Sequence, residues 1–185
     1  MSTTYEKYLQ LCKSGTPKSI EELLKKDSTL SYEIGFRQAC EHDNMPVVKF
    51  HLTSPITKDV ALERLDEGLD IAAWRGYLPL VKYLLTDPSL PKHANIHAYE
   101  DSALRLSSYQ GFLEMVEFLT SSAELKEHAD IHARQDESYK NAYMRHHQSI
   151  VKYFEKNLKM SLSDDIKHLW MHPDKEVLES KGLRM

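Results

Sequence analysis

Gly111-Phe112-Leu113-Glu114-Met115-Val116-Glu117-Phe118-Leu119 repeats, thirty-five residues on, the pattern of Gly76-Tyr77-Leu78-Pro79-Leu80-Val81-Lys82-Tyr83-Leu84. Both read glycine, aromatic, Leu, any residue, apolar, Val, charged, aromatic, Leu. Thirty-five residues further the cadence returns in weaker form as His147-Gln148-Ser149-Ile150-Val151-Lys152-Tyr153-Phe154, and it is foreshadowed at Met45-Pro46-Val47-Val48-Lys49-Phe50-His51-Leu52. A period of this length, recurring along a chain, marks stacked supersecondary units that cannot bury their apolar faces alone. The connectors repeat as well. His93-Ala94-Asn95-Ile96-His97-Ala98 and His128-Ala129-Asp130-Ile131-His132-Ala133 are again thirty-five apart, with five of six positions identical.

Working outward, the residues fall into columns. Ile20, Val48, Val81, Val116 and either Ile150 or Val151 share a place on the second helix of each unit. Gly76 and Gly111 stand five residues before Val81 and Val116, and Ala39, Ala72, Ser107 and Ala142 form a small-residue column ahead of the turn. Small side chains there let the helices of neighbouring units approach closely. Ser14-Gly15-Thr16-Pro17 reads as a helix stop and restart, with Thr16 as N-cap and Pro17 at the first helical position. Ser54-Pro55 ends the second unit. The stretch 59–67 is ambiguous between a short helix and a loop.

These observations predict an all-α helical-repeat solenoid forming one domain over 1–185. Its five helix-pair units span about 3–30, 31–56, 57–91, 92–126 and 127–160, and a C-terminal helical cap covers 161–185. In the cap Ser163 is a plausible N-cap, with Ile166, Leu169 and Trp170 apolar.

Composition bounds the function. With 41% hydrophobic and 28% charged residues the chain has ordinary globular character. No run reaches the roughly 18 apolar residues of a membrane-spanning helix, and the polar N-terminus lacks a signal-peptide core. A formal net charge of −4 supplies no overall attraction to phosphate backbones or anionic membranes. Cys12 and Cys40 form neither a disulfide framework nor a metal spacing, which suits a reducing, cytoplasmic compartment.

The pattern resembles ankyrin repeats. The resemblance rests on the connector Ala94-Asn95-Ile96-His97-Ala98, the Ala103-Leu104 of the first helix, the Gly-aromatic-Leu turn and the Val-charged-aromatic-Leu second helix. It is strong over 68–156 and weaker before. Two departures are visible: Ser102-Ala103-Leu104-Arg105 stands where the family carries Thr-Pro-Leu-His, and the finger between Ala98 and Ser102 is short and lacks glycine. Short-fingered repeats of this kind are similar to those of bacterial and large-virus proteins.

The resemblance implies a non-catalytic module that binds another protein on its concave face, with no cofactor, and acts as a monomer. The residues expected on that face are Trp74, Arg75, Tyr109, Gln110, Met144 and Arg145 near the turns, with His97, Tyr99, Arg105 and Arg134 from the connector side. Trp74 and Tyr109, one repeat apart, are expected roughly 10 Å from each other. Two placements stay open for these rings: presented to a partner, or packed between adjacent first helices as core. The alternative role is an effector or inhibitor of bacterial or viral origin, delivered to a host cytosol, that occludes a host or defence enzyme.

Chemistry finds little support. His93/His97, His128/His132 and His168/His172 are each four apart, a zinc-like spacing on a helix. The first two pairs lie on connectors and lack a third ligand at fixed spacing, so turn-packing histidines are expected. Cys12 and Cys40 share the column of Ala73 and Ser108, where small buried packing is expected. There is no phosphate-binding glycine loop and no nucleophile elbow.

Overall fold

In the computed structural model, which describes residues 3–161, the chain is all-helical, with eleven helices and no strand among those residues. The predicted C-terminal cap, including Ser163, Ile166, Leu169, Trp170, His168 and His172, lies outside the described residues.

Five helix pairs account for most of the fold. They are α1 (Thr4–Ser14) with α2 (Pro17–Lys26), α3 (Tyr32–Glu41) with α4 (Met45–Thr53), α6 (Leu65–Arg75) with α7 (Leu78–Thr86), α8 (Ala98–Gln110) with α9 (Leu113–Ser121), and α10 (Ala133–Met144) with α11 (Gln148–Asn157). The first helices pack in series, α1 on α3, α3 on α6, α6 on α8 and α8 on α10, and each second helix packs on its own first helix. The ambiguous stretch resolves into α5 (Lys58–Glu63), which packs against α3, α4 and α6, while Leu65–Glu67 already belong to α6.

Local chemistry explains the helix starts. Thr3 and Glu6 form a capping box on α1, and Thr16 caps α2 with Pro17 in its first turn. The second helices also end alike. The side chains of Asp27, Ser54, Asp87 and Ser122 each accept the backbone N–H two residues on, turning the chain away from α2, α4, α7 and α9.

The four turns from α3 to α4, α6 to α7, α8 to α9 and α10 to α11 share one geometry. A left-handed residue, Asp43, Gly76, Gly111 or His146 (φ 52, 79, 88 and 61), follows the first helix. The next residue, Asn44, Tyr77, Phe112 or His147, donates its N–H to the carbonyl five residues back: Ala39, Ala72, Ser107 and Ala142. Each then sits near φ −80 and ψ 70–80, an inverse γ-turn closed by the N–H of Met45, Leu78, Leu113 or Gln148 onto the left-handed residue's carbonyl.

The common geometry also settles the last register. Val48, Val81, Val116 and Val151 each donate their N–H to the carbonyl of Asn44, Tyr77, Phe112 and His147, so Val151 is the column's member. All four valines are buried, as are Ile20 and Ile150. Truncating Val116 to Ala leaves a cavity between units and is expected to cost roughly 1–3 kcal/mol of stability. An equilibrium denaturation curve that overlays the wild type would remove Val116 from the core.

Candidate functional site

The expected surface residues separate into two groups at opposite ends of the first helices. Tyr99 stands ahead of the regular part of α8, which starts at Ser102, and Tyr109 lies near its end, so about 10 Å of helix separates the groups at 1.5 Å per residue.

At the turn end, Trp74 and Tyr109 stack directly, with ring centroids 5.6 Å apart and planes 20° from parallel. This replaces the expected separation of roughly 10 Å: backbones at helix-packing distance carry large side chains that lean toward each other. Arg145 of the following unit sets its guanidinium carbon 4.3 Å over the Tyr109 ring. Stacked rings contribute about 0.5–1.5 kcal/mol beyond burial, and an exposed cation over a ring about 0.5–1 kcal/mol. Gln110 holds the row from beneath, donating its side-chain amide to the Trp74 carbonyl at 3.2 Å, and His147 Nε2 donates to the Tyr109 carbonyl at 2.8 Å. Trp74 remains 40% exposed and Tyr109 is half-buried, so the Trp74 ring is a surface group. Met144 packs against the core, and Arg75 is exposed.

At the connector end the polar residues are tied into the scaffold. Tyr99–Asp101 and Arg134–Asp136 are each three consecutive residues in the left-handed region, with φ between 50 and 61. Left-handed backbone costs an L-residue about 1–2 kcal/mol, so neighbouring groups must hold it. Asp101 Oδ1 accepts from His97 Nδ1 at 2.8 Å and from the Asp130 N–H of the next connector at 2.8 Å. One unit on, Asp136 accepts from His132 Nδ1 at 2.7 Å, and one unit back Asp66 accepts from the Asn95 N–H at 2.7 Å.

Arg105 donates to the carbonyls of Glu100 and Tyr99, at 3.0 and 2.8 Å, and pairs with Glu137 at 3.2 Å. Its side chain is only 12% exposed, so it clamps its own turn. Arg134 pairs with Glu100 and Glu137, and His97 points its other nitrogen at Glu127, 3.6 Å away. Tyr99, 61% exposed, is the large apolar surface group at this end.

The aspartate column Asp66, Asp101, Asp136 was missed from the sequence although it carries the thirty-five-residue spacing. A second missed column bridges consecutive first helices: Arg37 with Glu67, Ser102 with Asp70, and Arg105 with Glu137. Both were legible as periodic polar residues.

The connector histidines have structural partners. His93 Nε2 donates to the Asp87 carbonyl and His128 Nε2 to the Ser122 carbonyl, in equivalent places. No group of three metal-ligating side chains gathers among the described residues. Cys12 and Cys40 are buried, and burial pushes the Cys12 thiol up to about 12, away from thiolate chemistry. No described helix is long and apolar enough to cross a membrane.

No protein-family model, no curated protein and no solved structure matches this chain.

Proposed function

We propose that the chain is an ankyrin-like repeat module without catalytic activity, which binds a partner protein through the turn end of its first helices. The observation that carries this reading is the row Trp74–Tyr109–Arg145. It spans three consecutive units, and in it a half-exposed indole is locked by stacking against its neighbour. Trp, Tyr and Arg are the side chains that most often dominate binding energy at protein interfaces. Here they are already ordered before association, so little side-chain entropy is lost on binding. The repeated turns beneath them, each closed by the same hydrogen bonds, make the platform rigid.

The test is a pull-down from a lysate of the source or its host, comparing wild type with a Trp74→Ala/Tyr109→Ala variant whose helicity is checked by circular dichroism. Beyond burial the stack contributes about 0.5–1.5 kcal/mol, and the Trp74 ring is already 40% exposed, so the variant is expected to fold. A partner retained by the wild type and lost by the folded variant supports the reading. A partner retained equally by both places binding elsewhere.

A further inference from the structure

Six arginines lie among the described residues. Arg37, Arg64, Arg105 and Arg134 each pair with a glutamate, whereas Arg75 and Arg145 pair with no carboxylate there. Of these two, Arg145 lies over the Tyr109 ring of the stack and Arg75 adjoins Trp74 in sequence. Both are exposed, as are His42 and His146 at the equivalent turns; the acidic residues of this row are Asp43 and Glu41, the latter paired with Arg37. On a chain of formal net charge −4, the aromatic ridge thus carries one guanidinium over Tyr109 and a second next to Trp74 in sequence, and no described carboxylate pairs with either.

We propose that this ridge binds an acidic segment of a partner protein, with carboxylates paired to Arg75 and Arg145 and an apolar side chain laid on Trp74. The proposal rests on the protein-binding reading above and adds the chemistry of the partner. A guanidinium offers planar paired donors that match a carboxylate, and such complementarity sets both partner choice and association rate. The distances give a spacing. Trp74 lies 5.6 Å from Tyr109 on the side of the preceding unit and Arg145 4.3 Å on the side of the following one. The indole and the guanidinium are therefore at most about 10 Å apart, within roughly three residues of extended chain. A nucleic acid fits less well. Phosphate-backbone binding draws on a line of cations, and this row offers two unpaired arginines beside Asp43.

The test is selection of short random peptides displayed on phage against the full chain. Enriched peptides are then synthesised with a fluorescein label, and their binding is followed by anisotropy. The expected result is enrichment of sequences with Asp or Glu within about three positions of an aromatic or aliphatic residue. Arg75→Glu and Arg75→Glu/Arg145→Glu should each weaken them, the double variant by about tenfold or more. Affinity should also fall as salt rises from roughly 0.05 to 0.3 M. Arg75→Glu leaves the stack untouched and separates loss of charge from loss of folding.

Enriched peptides that are neutral or basic, or that bind both charge variants within about twofold of wild type, overturn the proposal. If those same peptides are lost on Trp74→Ala/Tyr109→Ala, the protein-binding reading stands without it. If they bind that variant unchanged, both fall. Failure to enrich any peptide, or tighter binding of an oligothymidine than of the peptides, also overturns the acidic-segment proposal.

Discussion

Replacing Gly111 by Val is expected to destabilise the protein by roughly 2–5 kcal/mol, because two independent penalties fall on one atom. Gly111 sits at φ 88, where an L-residue, above all a β-branched one, is strained by about 1–2 kcal/mol. A Cβ built there would also lie 2.7 Å from the His147 ring, which the following unit lays over the turn. Relieving that overlap displaces a ring whose Nε2 holds the Tyr109 carbonyl, at a cost of about 1–3 kcal/mol. Urea denaturation of three variants separates the terms. Gly111→Asn tolerates the left-handed backbone and keeps the overlap, whereas Gly111→Val/His147→Ala removes the overlap and keeps the strain. A Gly111→Val midpoint equal to wild type would show that the turn relaxes to another geometry. Gly76, at φ 79 with the Phe112 ring 2.8 Å from its would-be Cβ, should respond in the same way.

His51 should make stability fall steeply with acid. Its side chain is fully buried on α4, edge-on to Phe36 and Phe50, and neither ring nitrogen has a hydrogen-bond partner. Burial disfavours the imidazolium and pushes the pKa down from 6.5 to about 4. Between those values the unfolded chain binds a proton that the folded chain refuses. The contribution is therefore fully present above about pH 6.5 and is lost as pH falls toward 4, to a total of roughly 3 kcal/mol. The clean measurement is the difference between wild type and His51→Leu in urea at about pH 7 and pH 4.5, since other titrating groups cancel. The variant should gain on the wild type at the lower pH. At neutral pH it also removes two unpaired buried polar atoms, each costing about 1–3 kcal/mol, which offsets part of the altered packing. Equal pH dependence in the two proteins would mean that His51 takes up its proton without unfolding.

Much of this architecture was readable because it is periodic and local. The turn glycines, the valine column and the small residues Ala39, Ala72, Ser107 and Ala142 each occupy one place in a repeating unit and meet the same demand in every copy. The candidate residues were readable in the same way, as the surface members of columns, but columns carry no direction. Trp74, Tyr109 and Arg145 came together as a stack, whereas Arg105, from an equally suggestive position, turned inward to hold Tyr99 and Glu100. The left-handed turns at Tyr99–Asp101 and Arg134–Asp136 gave no composition signal, since neither contains glycine. They are held by bonds between units, such as Asp101 to the Asp130 N–H, that no local window includes.

The sequence by itself therefore determined that the chain is helical, the length of its repeat, the column each buried residue occupies and the left-handed need at Gly76 and Gly111. These follow from period and from backbone sterics, which act within one unit. Only the tertiary structure decided how side chains of consecutive units meet: the stack on Tyr109, the aspartates that cap the next connector, and the sealing of His51 between aromatic rings. Those outcomes depend on packing across units, where a side chain's reach of several ångströms is comparable to the spacing between helices. Whether two neighbours pair, stack or turn away is then set by geometry that no one repeat contains.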